Sequence, residues 1–467
     1  MGSYALIAPD SEQRGRFPPL AGLLLGLALC LHLAAVVQAL LGKPAAGATS
    51  FLLGQCVVGF ALLRLIDRAW VFQDIRFFFL LFYSLYGATL PLIFSLQGAA
   101  MTGLAPAAFL YGTGLVGFNL VQWWHKEPWR GVSEHAFDEV RPTSWNAVLL
   151  VGGFASVFGY AALMDVRFAF TIDRTQTALI GGQLWIVMMF FVNGMAMFMF
   201  AVWPRLGLFA RIVVVVSTIA FVMFHVSLGN RRDFLPMFIF FAALIATRRQ
   251  AVIRLGTLLL GFVAFALLTL LGIVRQVIMD PRLLANRPTD LLLGNNEFIS
   301  PIQTLMHYSA DNYPPLEWGW TYLTAPSLFI PRVFWRSKPE SLSIKFLLDA
   351  FGSTQTIGFA YTPVTEAFIN FSWVGPFIVL SILSVGSIWL IRNVNAHPGF
   401  YFIVFAMMLD FNRGEFSGSF YAVVCVSAGY VMMLVVSRLT WARVSPVPGT
   451  LVPAGAAGAP QRPVTGH

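Results

Sequence analysis

PLAGLLLGLALCLHLAAVVQALL, residues 19–41, decides the fold. The stretch holds no acidic side chain and no lysine or arginine, and it exceeds the roughly 20 apolar residues with which a helix crosses a bilayer. It is also longer than the apolar core of a secretory signal. A retained first span is therefore expected, although Pro44-Ala45-Ala46-Gly47-Ala48 faintly resembles a cleavage site. Working outward, comparable stretches recur at about 50–66, 77–97, 101–123, 146–165, 180–203, 208–228, 234–247, 255–274, 372–391, 398–411 and 419–437. The stretches at 234–247 and 398–411 are short for a span, so tilted, re-entrant or turn-extended helices are expected there. The whole predicts an all-α polytopic integral membrane protein of about twelve transmembrane helices, with one large outer loop containing short helices.

Composition agrees. Hydrophobic residues make up 58% of the 467 residues, charged residues 11%, and the mean hydropathy is +0.74, which excludes a soluble globular domain. The formal net charge is +9. The basic residues sit mostly in short loops between apolar stretches, as membrane topology demands, so nucleic acid is not the expected partner. Cys30, Cys56 and Cys425 all fall inside apolar stretches and read as small core residues, not as disulfide or metal partners.

Of the 30 lysines and arginines, 17 fall in the loops and tail that share a side with the N-terminus, and six in the short loops opposite. The positive-inside rule then puts both termini inside. The organisation expected is a cytoplasmic tail at 1–17, spans one to nine at 18–274, a large outer (periplasmic) loop at 275–371, spans ten to twelve at 372–438, and a disordered cytoplasmic tail at 439–467.

Against that rule, charged residues also gather at the outer side, where retaining them at a membrane edge is costly. In Ser227-Leu228-Gly229-Asn230-Arg231-Arg232-Asp233, guanidinium groups precede a helix start, a combination that suits an anion. A polar turn with one arginine paired to Asp233 is the plainer account. Arg275 ends the ninth stretch, where snorkelling alone would explain it. His307-Tyr308 follows Asn295-Asn296-Glu297 in the loop, and histidine is the usual base near neutral pH. Aromatics and cations alternate through Trp318-Gly319-Trp320-Thr321-Tyr322 and Phe329-Ile330-Pro331-Arg332-Val333-Phe334-Trp335-Arg336-Ser337-Lys338-Pro339. This pattern suits sugar faces and phosphates, or a rigid elbow in the head-group layer. After Tyr361, Thr362-Pro363 marks a helix start, with Glu366 in an early turn, where a carboxylate gains from the helix dipole. Asp410-Phe411-Asn412-Arg413-Gly414-Glu415 closes the series, and an Arg-Glu pair fixing two helix ends would account for it. No Walker A, G-x-S-x-G or H-E-x-x-H motif occurs, and the histidines lack ligand spacing, so neither metal nor cofactor is expected.

From Gly229 to Glu415 the chain resembles the Wzy-type oligosaccharide repeat-unit polymerases of bacterial O-antigen and exopolysaccharide synthesis. The resemblance lies in the order of the Gly-Asn-Arg-Arg turn, Gly319-Trp320-Thr321-Tyr322, Ile330-Pro331-Arg332 with Lys338-Pro339, Glu366 followed by Asn370-Phe371 and Gly375, and Arg413-Gly414-Glu415. It departs at Phe371-Ser372-Trp373, where Phe-Gly is expected. The resemblance implies an inverting, metal-independent glycosyltransferase in the bacterial inner membrane. Such an enzyme joins polyprenyl-diphosphate-linked repeat units at the outer face, among membrane lipids and beside a flippase and a chain-length regulator. It implies Arg231, Arg232, Arg275 and Arg413 at the diphosphate, with Arg332, Lys338, Tyr361 and Glu415 nearby, and Glu366 or His307 as base or acceptor orienter. The alternatives are an O-antigen ligase that uses a lipid A core as acceptor, a transporter of lipid-linked sugars, and a scaffold in an export complex.

Overall fold

The computed structural model describes residues 18–98, 101–133, 136–137, 140–164, 174–227, 234–248, 253, 263, 300–310, 314–330, 334–352 and 360–444. Within these the chain is helical: α1 (Pro19–Leu40), α2 (Pro44–Asp67), α3 (Ile75–Gln97), α4 (Leu104–His125), α5 (Ser144–Leu163), α6 (Arg174–Ala201), α7 (Leu208–Ser227), α8 (Leu235–Arg248), α9 (Ser300–Ser309), α10 (Trp320–Leu323), α11 (Leu342–Phe351), α12 (Pro363–Phe371), α13 (Gly375–Arg392), α14 (Pro398–Phe411) and α15 (Phe416–Val444). Nine helical stretches among the described residues are long and apolar enough to cross a membrane, with Pro363–Arg392 counted as one. The protein is membrane-embedded. Helices α8 and α14 are the two short apolar ones, at the positions where the sequence predicts short spans. The ninth predicted span, about 255–274, lies outside the described residues apart from position 263.

Local sequence explains the boundaries. Pro44 occupies the first turn of α2, so this helix starts earlier than the apolar pattern alone suggests, because proline tolerates that turn and lacks the N–H it would leave unpaired. Gly98, at φ +63°, ends α3 in the left-handed conformation that glycine adopts without strain.

Cross-helix contacts orient the bundle. Thr440, late in α15, donates to Thr143 at the start of α5, so these helices run antiparallel. Phe154 and Phe158 of α5 meet Phe221 and Phe224 of α7, so α7 runs with α5. Arg248 at the end of α8 reaches Ala201 O at the end of α6. One end of the bundle therefore collects the C-terminus of α7, the N-terminus of α8 and the α14–α15 turn. The opposite end collects the starts of α3, α5 and α14.

That opposite end is tied by charge. Arg76, wholly buried, pairs with Asp74 at 2.6 Å and Asp67 at 2.8 Å, and donates to Glu127 O. Glu127 in turn pairs with Arg130 and Arg392. A buried guanidinium is tolerable when its fork is filled in this way. In the middle of the bundle, the Gln55 side chain of α2 meets His32 of α1 at 2.8 Å, and the Gln55 carbonyl accepts from Asn119 Nδ2 of α4 at 3.0 Å. Interhelical polar contacts of this kind hold helices together in lipid. The outward face of α1, including Leu23, Leu33 and Leu40, is exposed, as a lipid-facing helix requires. Helices α6 and α15 cross closely at glycines. A Cβ on Gly194 would stand 1.9 Å from Val426 O, and one on Gly429 2.0 Å from Phe191 O.

Candidate functional site

The α14–α15 turn, α12 and the chain before α10 converge at one end of the bundle, and Glu366 is the point of convergence. Thr362 caps α12 as the sequence predicts: its hydroxyl accepts from Thr365 N at 3.1 Å, and Pro363 occupies the first turn. One turn on, Glu366 is completely buried. Its Oε1 accepts from Thr321 Oγ1 at 2.7 Å, and its Oε2 accepts from Phe416 N, the first residue of α15, at 2.6 Å. Asn370, four residues later on the same face, donates to Thr321 Oγ1 at 2.7 Å and accepts from Gly319 N at 2.8 Å. Two backbone bonds, Glu317 N to Ile369 O and Trp318 N to Asn370 O, complete the join. Gly319 has φ +86°, a conformation that glycine adopts freely.

Glu366 thus acts across the fold more than along its own helix. Its carboxylate sits at the N-terminus of α15, where it satisfies an orphan N–H and meets the positive end of the helix dipole. Aromatic rings seal the cluster: Tyr322 stacks on Phe371 and meets Phe416 edge-on at 5.3 Å. The Tyr322 hydroxyl is buried without a hydrogen-bond partner among the described residues. Burial, and secondarily the Glu366 charge, push its ionisation well above the ordinary phenol range.

The other expected site residues occupy several settings. Glu415 Oε2 accepts from Leu342 N at 2.7 Å, at the start of α11. Lys338 is buried, and its ammonium donates to Leu328 O at 3.2 Å and Ile330 O at 3.1 Å. It closes the carbonyl end of the short helix Ala325–Phe329. Tyr361, nearly sealed, donates to Tyr308 Oη at 2.8 Å. Burial, then Tyr308, raises its ionisation well above the ordinary range, so it stays a protonated donor. His307 is half-buried, its ring edge-on to Phe346 at 5.3 Å and to Tyr308 at 5.6 Å. Arg413 is half-buried in the α14–α15 turn. Arg231, Arg232, Arg275 and Arg332 lie outside the described residues.

Trp318, Trp320 and Phe334 are exposed on the same loop, a setting that suits amphipathic rings at a membrane boundary. Thr321, Asn370 and Tyr308 carry structure at this end that the sequence reading assigned to none of them. The signal available for Asn370 was its four-residue spacing from Glu366, which puts both on one helical face. Among the described residues no group of three His, Cys, Asp or Glu could hold a metal ion. No family model, curated protein or solved structure matches the chain.

Proposed function

We propose that this protein is an inverting glycosyltransferase that polymerises polyprenyl-diphosphate-linked oligosaccharide repeat units at the outer face of a bacterial inner membrane. The observation that carries the reading is the convergence at Glu366. Three segments far apart in sequence, each part of the resemblance to Wzy-type polymerases, meet there: Gly319–Tyr322, Glu366–Phe371 and, through the next residue Phe416, Arg413–Glu415. The proposed topology has about twelve spans with both termini inside, so this end of the bundle faces outward. A flippase that supplies the substrate and a chain-length regulator are the proposed partners.

In the reaction, an acceptor sugar hydroxyl oxygen attacks the anomeric carbon of the donor glycan. The bond from that carbon to the diphosphate oxygen breaks, the electron pair leaves with the lipid diphosphate, and the hydroxyl proton passes to a base. Arg231, Arg232, Arg275 and Arg413 are the proposed diphosphate ligands, since fixed guanidinium groups stabilise the growing charge. Arg332 is assigned a lesser part. Lys338 has a lesser part too, because two of its three ammonium donors already serve carbonyls. Of the two expected bases, His307 is favoured: Glu366 is sealed from solvent with both oxygens engaged. Glu366 is a positioning residue that fixes the α14–α15 turn. Tyr361 and Glu415 support the same end of the fold.

Purified protein reconstituted with its native lipid-linked repeat unit is expected to give a ladder of chain lengths that disappears with Arg232→Ala. A ladder that survives this change removes the arginine cluster from the mechanism. Transfer seen only when a lipid A core is supplied makes the protein a ligase. No transfer to either acceptor refutes the enzyme reading and leaves transport or scaffolding.

A further inference from the structure

Helix α11 differs from the rest of this end of the bundle in how it is held. No described helix packs closely along it, and it is attached through side chains. Leu342, Phe346 and Leu347 form its buried face, whereas Ile344, Leu348 and Phe351 on the other face are exposed. The ring of Phe346 lies over three of the site's aromatic groups: His307 at 5.3 Å, Tyr308 at 5.6 Å and Tyr361 at 6.3 Å. At its far end, Asp349 accepts a long hydrogen bond of 3.4 Å from Tyr308.

Its N-terminus has no cap of its own. Ser341 stands at the capping position but makes no side-chain cap hydrogen bond. The carboxylate of Glu415, from the turn before α15, supplies the acceptor to Leu342 N at 2.7 Å. An acid at a helix start is favoured by the dipole and by the unpaired N–H groups there. The second tie is the pair of Lys345 with Glu317, both partly exposed, and an exposed ion pair holds weakly. Glu415 also lies within electrostatic reach of the Glu366 carboxylate, and two like charges repel. The two acids play unequal parts. Glu366 is sealed and joins α12 to α15, whereas Glu415 is half-buried and joins the start of α15 to a helix that, among the described residues, is held by side-chain contacts and not by close helix packing.

We propose that α11 is a detachable cover over His307, Tyr308 and Tyr361, held shut by the Glu415 carboxylate at its N-terminus. When Glu415 lets go, Phe346 leaves the His307 ring and the aromatic cluster is uncovered at the site end of the bundle, while the Glu366 join keeps α12 and α15 in place. That the cluster belongs to a working active site rests on the function proposed above. The cover itself is tested without catalysis.

The experiment is amide hydrogen exchange of the full chain in lipid nanodiscs, comparing the unaltered protein with Glu415→Gln and Glu415→Ala. Glutamine keeps an oxygen that can accept from Leu342 N, so its exchange over 342–351 is expected to rise by less than about 3-fold. Alanine removes the cap, and loss of a cap of this kind corresponds to a roughly 5- to 30-fold rise there. Over 416–440 no change is expected. Modification of His307 by diethylpyrocarbonate, read on its own peptide, is expected to speed up in parallel with alanine. The proposal is overturned if exchange over 342–351 is the same in all three proteins. It is equally overturned if alanine raises exchange over 342–351 and 416–440 alike, which would make Glu415 a strut of the bundle end and α11 no separate cover. If the cover opens as expected but the unaltered protein builds no ladder, the polymerase reading fails and the cover stands.

Discussion

Replacing Glu366 by alanine removes one acceptor from two buried donors at once. Thr321 Oγ1 and Phe416 N, at 2.7 and 2.6 Å from the carboxylate, would face a site with 0% exposure. A buried donor left unsatisfied costs about 1–3 kcal/mol, and the space vacated by the side chain adds about 1–2 kcal/mol. The sum, roughly 3–8 kcal/mol, is a large part of the 5–15 kcal/mol that typically holds a domain together. Glutamine keeps the volume but offers one oxygen, so one donor must meet an amide NH2, and the loss falls to about 1–3 kcal/mol. The expected order of stability is therefore unaltered protein, then Glu366→Gln, then Glu366→Ala. Thermal unfolding in detergent reads this at roughly 1 °C per kcal/mol for a chain of this length. Thr321→Val supplies a stricter check. With the hydrogen bond present, the double variant Thr321→Val, Glu366→Ala loses less than the two single losses combined, by about 0.5–3 kcal/mol. If the single losses simply add, the bond does not exist and the convergence at Glu366 is misread.

Other expectations follow from single features. Ser372 has φ +57° and ψ −147°, close to a region open almost only to glycine, where strain costs about 1–3 kcal/mol. Ser372→Gly should raise the unfolding midpoint, with a net gain of roughly 1 kcal/mol after glycine's own entropy. Arg76→Gln leaves Asp67 and Asp74 buried without their cation, and a loss of about 3–5 kcal/mol is expected in the same assay. Gly429→Val drives a side chain into Phe191 O, where a Cβ would already stand at 2.0 Å, and monodisperse protein should be lost on gel filtration. Burial alone would raise the pKa of Glu127, but hydrogen bonds from Arg392 and Arg130 outweigh it and hold the group below its ordinary 4.5. The support it gives is thus present above pH 4.5 and lost as pH falls through the lower folded value. Amide exchange over 127–132 should rise in that acid range, and should show no such step with Glu127→Gln.

The helices were legible wherever one principle governed them. Uncharged stretches such as 19–41 are helical because lipid leaves backbone groups no other partner, and the start of α12 was legible because Thr362-Pro363 is a local signal. The site was legible only as a set of charged segments. Glu366 reads from sequence as an acid in the first turn of its own helix, yet its carboxylate serves Phe416 of another helix. Lys338 reads as a cation for an anion, yet it closes a carbonyl end ten residues back. In both cases sequence gave the residue type correctly, but the partner depends on how distant segments meet. Ser372 is the converse. The expected Phe-Gly marks a backbone demand, and that demand persists here under a serine that carries the positive φ.

The partners found at the site end also narrow what a ligand can use. Helix α15 presents Phe416 N, and α11 presents Leu342 N, but each is occupied by a carboxylate of the protein itself. Lys338 is engaged by Leu328 O and Ile330 O, and Lys345 by Glu317. One N–H at each of these helix starts, two of the three ammonium donors of Lys338 and one of Lys345 are thus already engaged by the protein itself. In the proposed reading, anion binding at this end falls chiefly to arginine, whose planar fork can grip two phosphate oxygens at once. That is the residue type which the sequence repeats at Arg231, Arg232, Arg275 and Arg413. Glu366 and Glu415 hold the fold, and the proposed chemistry separates along that line: carboxylates shape the site, guanidinium groups bind the leaving group, and His307 beneath α11 takes the proton.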